Sequence, residues 1–454
     1  MTTPITVPLW ALILILAFAA VTFASHFLFP SVRWYFRRRA ERVVTELNRR
    51  LETPIQPFKL ARRHDMVMRL SYDSSVMEAV QEEAQREGIP ENVAFQRAQR
   101  YAREIVPAFS ASAYFGFGIR VARWLSNALY DVRVDVTDQA ALRAIPPEAT
   151  VIFVMNHRSN MDYVLVTYLV AERSALSYAA GEWARVWPMR ALVRSMGAYF
   201  IRRRSFGALY RRVLARYVQM ATAAGVSQAL FPEGGLSLTG RLMSPKVGIL
   251  SDIREAEKSG QPVVYVPVAL NYDRVLEDRV LVAAAQSGER RFRARIPTML
   301  GFTARMLLKR MRGRFRRFGR ACVAFGDPIL PGAAPDDVQD LAEDLMRRIA
   351  AAMPVPPLPY IARALTEAGR PVPREALVAC ITAWAGRGRE DAEAIVAEGL
   401  ALARLRNLVR EGPDGIGIVP GEHALMAYYA AAASCDAPGP LIDTERRVPL
   451  PVET

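Results

Sequence analysis

The chain is 454 residues long, 51% apolar and 23% charged, with a formal net charge of +15. This composition excludes a disordered chain and leaves room for one large core with smaller units around it. The excess positive charge points to an anionic partner: nucleic acid, an anionic bilayer or an acidic substrate. Cys322, Cys380 and Cys435 lie far apart with no metal or redox spacing, and there are only four histidines. The cysteines read as buried free thiols, and a His/Cys metal site is not expected.

Leu9 to Phe29 is almost wholly apolar, with no Lys, Arg, Asp or Glu. As a helix it would span about 30 Å, the thickness of a bilayer core. A cleaved signal peptide would carry positive charge before the apolar run. Here the charge follows it, at Arg33, Arg37, Arg38, Arg39 and Arg42. The expectation is a single membrane anchor over 1–30, with the body of the protein on the cytoplasmic side. Residues 31–105 form a helical, charge-mixed region. The apolar stretch over 105–130 contains glycines and charges, which suits a helix packed on the core or dipping into the membrane interface better than a spanning one.

From about residue 148 the pattern changes. TVIFVM, LSYAA, GAYFI, SQALF, PVVYVPVAL and ACVAFG are short β-rich runs, and helical stretches separate most of them. This alternation predicts an α/β fold with a mainly parallel sheet flanked by helices, over 106–335. Active sites of such folds lie at the carboxyl ends of the strands. Between Arg290 and Arg320 there are twelve Arg or Lys and no acid. Leu307, Met311, Phe315 and Phe318 recur there at helical spacing, which predicts an amphipathic helix on an anionic membrane or a dock for an acidic carrier protein. No nucleic-acid motif accompanies the charge. Residues 336–454 form a helical C-terminal region, in which the Pro-rich MPVPPLP is followed by a small helical appendage over 360–454, with the glycines at Gly415 and Gly417 in a loop.

Four segments carry chemistry. NHRSNMD follows TVIFVM directly. Asp162 stands five residues after His157, the only histidine of the α/β region, and a sharp turn would let its carboxylate fix the imidazole. On spacing alone a surface histidine beside a helix-capping aspartate is the stronger reading, and the place at a strand's carboxyl end makes the two equal. GAYFIRRRSF delivers Arg202, Arg203 and Arg204 from a strand, and arginine forks suit phosphate or carboxylate. LFPEGGLSLTGRL places Glu233 at a strand end before a Gly-rich loop, with Arg241 and Lys246 available to an anion. The nucleophile elbow of serine hydrolases is absent around Ser237. YVPVALNYD reads as a buried wall rather than a source of chemistry.

In order and spacing these segments resemble the four blocks of the glycerolipid acyltransferase superfamily. HRSNMDY, GAYFIRR, the EGG-S-TGR-PK-G pattern and EHALMAYY are most similar to the bacterial and mitochondrial glycerol-3-phosphate and dihydroxyacetone-phosphate acyltransferase branch. The resemblance implies that His157 is the general base, assisted by Asp162, in acyl transfer from acyl-CoA or acyl carrier protein to glycerol-3-phosphate. Membrane lipids are then further partners, nucleic acid is not one, and no cofactor is implied. Arg202, Arg203, Glu233, Gly234, Ser237, Arg241 and Lys246 fall at acceptor-binding positions, with Arg158, Ser159 and Gly235 beside them. Leu236 and Leu238 stand where that branch carries arginines, so a lysophosphatidate or other lysolipid is the alternative acceptor. A membrane-bound lipid or carrier-protein binding module and a thioester hydrolase are the rivals of other classes.

Overall fold

The six β-rich runs all become strands, and the sheet they build has a seventh that the sequence hides. The structure is a computed structural model describing residues 8–10, 12–17, 38, 42, 44–49, 51, 54–137, 139–171, 175–180, 189–202, 207–288, 317–386 and 388–433. The strands are β1 (Asp131–Val136), β2 (Thr150–Met155), β3 (Ser177–Ala180), β4 (Tyr199–Phe200), β5 (Gln228–Leu230), β6 (Val263–Tyr272) and β7 (Arg320–Phe325). Their order is β1-β7-β6-β2-β5-β3-β4, with β6–β7 the one antiparallel pair. The hidden strand is β1. Its valines alternate with Asp131, Arg133 and Asp135, so no apolar run marks it, and it closes an edge of the sheet half-buried.

Alternation along the central strands divides the core in two, as the period of a strand requires. Val151, Phe153 and Met155 of β2 face one cluster, with the Met161–Val170 helix and the C-terminal helices. Ile152 and Val154 face the other, with the helices Arg63–Ser71, Ser74–Glu87, Glu91–Ile105, Ala208–Ala223, Gly248–Lys258 and Val338–Ala351. A sheet covered on both faces explains why β2 and β6 are buried at every position. Pro267 sits within β6, and antiparallel pairing with β7 starts at the next residue, Val268. Lacking an N–H, a proline suits the point where a ladder ends.

Two compact units divide the chain, Met1–Ile55 and Gln56–Thr454. In the first, residues 9–10 and 12–17 are helical and exposed, and the rest of the expected anchor lies outside the described residues. Among the described residues no helix is long and apolar enough to cross a membrane. Most of the basic segment between Arg290 and Arg320 also lies outside them. Its described end corrects one expectation: Phe318 is on no helix but buried before β7, its ring 4.3 Å beneath the Arg274 guanidinium. Gly415 and Gly417 are likewise not loop residues. They lie in β9 (Gly415–Ile418), antiparallel to β8 (Val409–Gly412). Cys322 is buried as expected, but Cys380 is exposed, because Leu377, Val378 and Ile381 supply the inward face of its helix. Cys435 lies outside the described residues.

Asp252 lies half-buried on the Gly248–Lys258 helix, and burial pushes its carboxyl up to about 7, against the pull of Arg212. The unfolded chain loses this proton near pH 4 and the folded chain near 7. The folded state therefore binds more protons across that window, and stability falls as pH rises through it. Asp252→Asn removes the titration. Unfolding free energies should match wild type near pH 3, below both pKa values, and exceed it at pH 8 by about 1–2 kcal/mol. Equal values at pH 8 would show that the carboxyl is not held protonated.

Candidate active site

The site begins where β2 ends. The Asn156 side chain continues the β2–β6 ladder, donating from Nδ2 to the Leu270 carbonyl at 2.9 Å and accepting the Leu270 N–H at 2.7 Å. It therefore fixes the chain direction just before His157. The His157 backbone is then gripped from both sides by the Gly-rich loop. Its N–H donates to Glu233 Oε1 at 2.9 Å, and its carbonyl accepts the Ser237 N–H at 3.0 Å. The first and third segments read from the sequence thus form one structure.

Asp162 stands in the first turn of the Met161–Val170 helix, fully buried. Its Oδ2 lies 2.9 Å from His157 Nδ1 and accepts the N–H groups of Arg158 at 2.7 Å and Ser159 at 3.0 Å. Its Oδ1 accepts the Tyr272 hydroxyl. Four donors satisfy one carboxylate, as a buried charge requires. This geometry rules out the surface-histidine reading, since His157 is 1% exposed. The imidazole is stacked near Phe231, centroids 4.2 Å apart, and meets the Tyr163 ring edge-on at 5.3 Å. Nε2 makes no hydrogen bond among the described residues, so it is the nitrogen left for a reacting group.

Further residues hold this turn in place. Glu277 accepts the Ser159 hydroxyl at 2.8 Å and the Asn160 side-chain amide at 3.0 Å, and burial raises its carboxyl pKa. Burial also pushes Glu233 up to about 7, opposed by the His157 N–H, the Arg158 charge and the Met243 N–H. Neither Tyr272 nor Glu277 stands out in the sequence. Tyr272 ends the strand read as a wall, so that strand also positions the dyad. Only the pairing of β6 with β2 shows its proximity to Asp162.

The other predicted residues divide. Gly234 has φ +66°, and a Cβ there would meet the Lys246 chain at 2.9 Å, so the glycine lets Lys246 cross it. Gly235 is half-buried in the same loop. The Ser237 hydroxyl donates to the Arg241 carbonyl at 2.7 Å, a loop-closing role, while the Arg241 side chain points outward. Leu236 and Leu238 pack against the core and anchor the loop. Arg202 is engaged elsewhere: Glu104 takes its guanidinium in two hydrogen bonds, at 2.7 and 2.5 Å, between the rings of Tyr101 and Tyr210. Arg203 and Arg204 lie outside the described residues. Among the described residues no group of His, Cys, Asp or Glu is arranged to hold a metal ion.

The C-terminal segment also reaches the site. Tyr429 donates to Asp278 at 2.6 Å and accepts the Val275 N–H at 3.1 Å, and Arg406 joins the same Asp278 oxygen. Asp278 adjoins Glu277, so the last described helix, His423–Ala431, braces the residues that hold the His157–Asp162 turn.

Residues 133–271 match the family model described as Acyltransferase. A glycerol-3-phosphate acyltransferase of Aeromonas hydrophila subsp. hydrophila is 33% identical over 339 residues, covering 69% of this chain and 40% of the relative. One of Pseudomonas putida is 29% identical over 438 residues, covering 86% of this chain and 51% of the relative. The chain thus spans about half or less of the length of these relatives. Among solved structures, a 1-acyl-sn-glycerophosphate acyltransferase of Thermotoga maritima matches at 20% identity over 55% of this chain and 79% of that one, with a TM-score of 0.30, too low to support an argument. The chain therefore contains an acyltransferase-family domain, residues 133–271, within a longer sequence related to the glycerol-3-phosphate acyltransferases.

Proposed function

We propose that this protein transfers a fatty acyl group from acyl-CoA or acyl carrier protein to a hydroxyl of glycerol-3-phosphate. The observation that carries this is the His157–Asp162 pair, held rigidly at a strand end inside a domain of the acyltransferase family. His157 Nε2 takes the proton of the acceptor hydroxyl as the oxygen attacks the thioester carbonyl. Asp162, hydrogen-bonded to Nδ1, stabilises the imidazolium that forms. The tetrahedral intermediate collapses, the C–S bond breaks, and the thiolate takes the proton back from Nε2. No acyl-enzyme and no cofactor enter this scheme. Arg158, Ser159, Glu233, Gly234, Gly235, Ser237, Arg241 and Lys246 surround the pair or frame its loop and are proposed to shape the acceptor site. Arg202 contributes as a wall fixed by Glu104, and Arg203 is its proposed cationic neighbour.

Membrane association belongs to the same reading. The apolar run from Leu9 to Phe29 supports an anchor with the catalytic unit on the cytoplasmic side. Phe117, Val121 and Trp124, spaced i, i+4 and i+7, are 55%, 38% and 53% exposed, beside exposed Arg120 and Arg123. An apolar stripe flanked by cations suits an anionic bilayer surface. The helix Ile119–Leu129, which carries Val121 and Trp124, packs on the Met161–Val170 helix, which would bring the dyad close to lipid.

Full-length protein in detergent, given labelled palmitoyl-CoA, should acylate glycerol-3-phosphate, and His157→Ala should abolish the product. Transfer to lysophosphatidate alone would keep the mechanism and change the acceptor. Hydrolysis at the same rate without acceptor, or no product with either donor, would remove the transferase reading.

A further inference from the structure

Arg158 is placed unusually for a cation. It is 2% exposed, and its Nη1 donates to the Gly240 carbonyl at 2.5 Å. Nε and Nη2 are buried and have no partner among the described residues. The nearby carboxylates are committed. Glu233 accepts the backbone N–H groups of His157 and Met243, at 2.9 and 3.3 Å. Glu277 holds Ser159 and Asn160, and Asp278 holds Tyr429 and Arg406. A buried guanidinium with one acceptor and no counter-charge in contact is costly, and such groups are normally matched by an anion.

A second buried donor lies on the helix packed against the same Gly240 turn. Tyr428, on the His423–Ala431 helix, is 2% exposed, and its hydroxyl is buried without a partner among the described residues. Burial pushes its pKa up, and of the charges acting on it the largest is the Arg158 guanidinium, which pulls it back. The helix is seated directly on the Gly-rich loop. A Cβ on Gly240 would lie 1.9 Å from the Tyr428 carbonyl oxygen. Three buried donor atoms thus belong to two elements that meet at the Gly240 turn, Arg158 through the Gly240 carbonyl and Tyr428 through its own backbone.

We propose that Arg158 and the hydroxyl of Tyr428 form an anion subsite, closed by the C-terminal helix, that receives the phosphate of the acceptor. The identity of that phosphate rests on the acyl-transfer reading; the subsite itself does not. Phosphate offers acceptor oxygens to Nε, Nη2 and the phenol together, and Arg supplies the fork geometry that suits it. The donors are sealed from solvent, so the anion enters only when the Gly240 turn or the helix parts. Once bound, it holds them together. Tyr428 is thus a binding residue contributed from more than 260 positions beyond His157 in sequence.

Binding is tested on full-length protein without any acyl donor, and acceptor kinetics separately with palmitoyl-CoA present. Calorimetric titration with glycerol-3-phosphate and with inorganic phosphate is compared between wild type and Tyr428→Phe, and hydrogen exchange follows residues 423–433. Wild type should bind both anions, with protection of that helix on binding. Tyr428→Phe should weaken both by about tenfold and raise KM for the acceptor with little change in kcat. Its ligand-free melting temperature should stay at the wild-type value. Equal affinity in the two proteins would show that water alone satisfies the phenol and would overturn the proposal. So would a wild type that binds neither anion. Anion binding that depends on Tyr428 in a protein that transfers no acyl group would retire the acyl-transfer reading and leave the subsite standing.

Discussion

Asp162→Asn should lower kcat for acyl transfer about 10³- to 10⁴-fold, with a folded protein and KM changed by less than about threefold. The fold survives because an amide can replace the carboxylate almost atom for atom. Its oxygen, placed where Oδ2 stands, still accepts from His157 Nδ1 and from the N–H groups of Arg158 and Ser159. Its NH₂ takes the Oδ1 position, where the Tyr272 hydroxyl rotates from donor to acceptor. In the proposed mechanism, what disappears is the charge that stabilises the imidazolium formed when Nε2 takes a proton. Tyr272→Phe gives the complementary result. It removes one donor to Oδ1 and leaves the charge, so kcat should fall about five- to tenfold. Rates for acceptor and thioester with each variant, with thermal melts alongside, separate these outcomes. An Asp162→Asn enzyme retaining a tenth of wild-type kcat would remove His157 as a general base of this kind.

Why the sequence reveals part of this site and conceals the rest follows from what each residue depends on. β2 and β6 are legible because burial on both faces writes them as continuous β-branched runs. His157, Asp162 and Glu233 are legible because each sits just past a strand, where an α/β fold concentrates its chemistry. β1 is not, because an edge strand can alternate Val with Asp and Arg without cost. Tyr272 and Glu277 reach the turn across the sheet, and nothing local in NYDRVLED predicts that. Arg202 shows the opposite failure. A strand-end arginine reads as an anion ligand, yet Glu104, almost a hundred residues earlier, is already bonded to it. The C-terminal segment reads as an appendage because its bonds toward the site run through Arg406 and single tyrosines, which reach Val275 and Asp278 rather than the turn itself. Its apolar residues nonetheless fill the same half of the core as the catalytic helix.

That seating makes Gly240 the most sensitive backbone position outside the dyad. Gly240 has φ +79°, a conformation that costs an L-residue about 1–2 kcal/mol. A methyl group there would also lie 1.9 Å from the Tyr428 oxygen and 3.0 Å from its carbonyl carbon, backbone atoms that no rotamer change can move aside. Overpacking against fixed atoms adds about 1–3 kcal/mol. Gly240→Ala should therefore lose roughly 2–5 kcal/mol, read from urea midpoints as the sum of these terms. Gly248→Ala is the control: a Cβ there meets nothing within 4 Å, its φ is not positive, and it opens a helix. It should be neutral or up to about 1 kcal/mol stabilising. Because the Gly240 carbonyl holds Arg158 Nη1, the damaged variant should also bind phosphate more weakly, even at temperatures where it remains folded. If the two glycine variants unfold at the same urea concentration, the C-terminal helix is not seated on the Gly-rich loop, and the coupling between them fails with it.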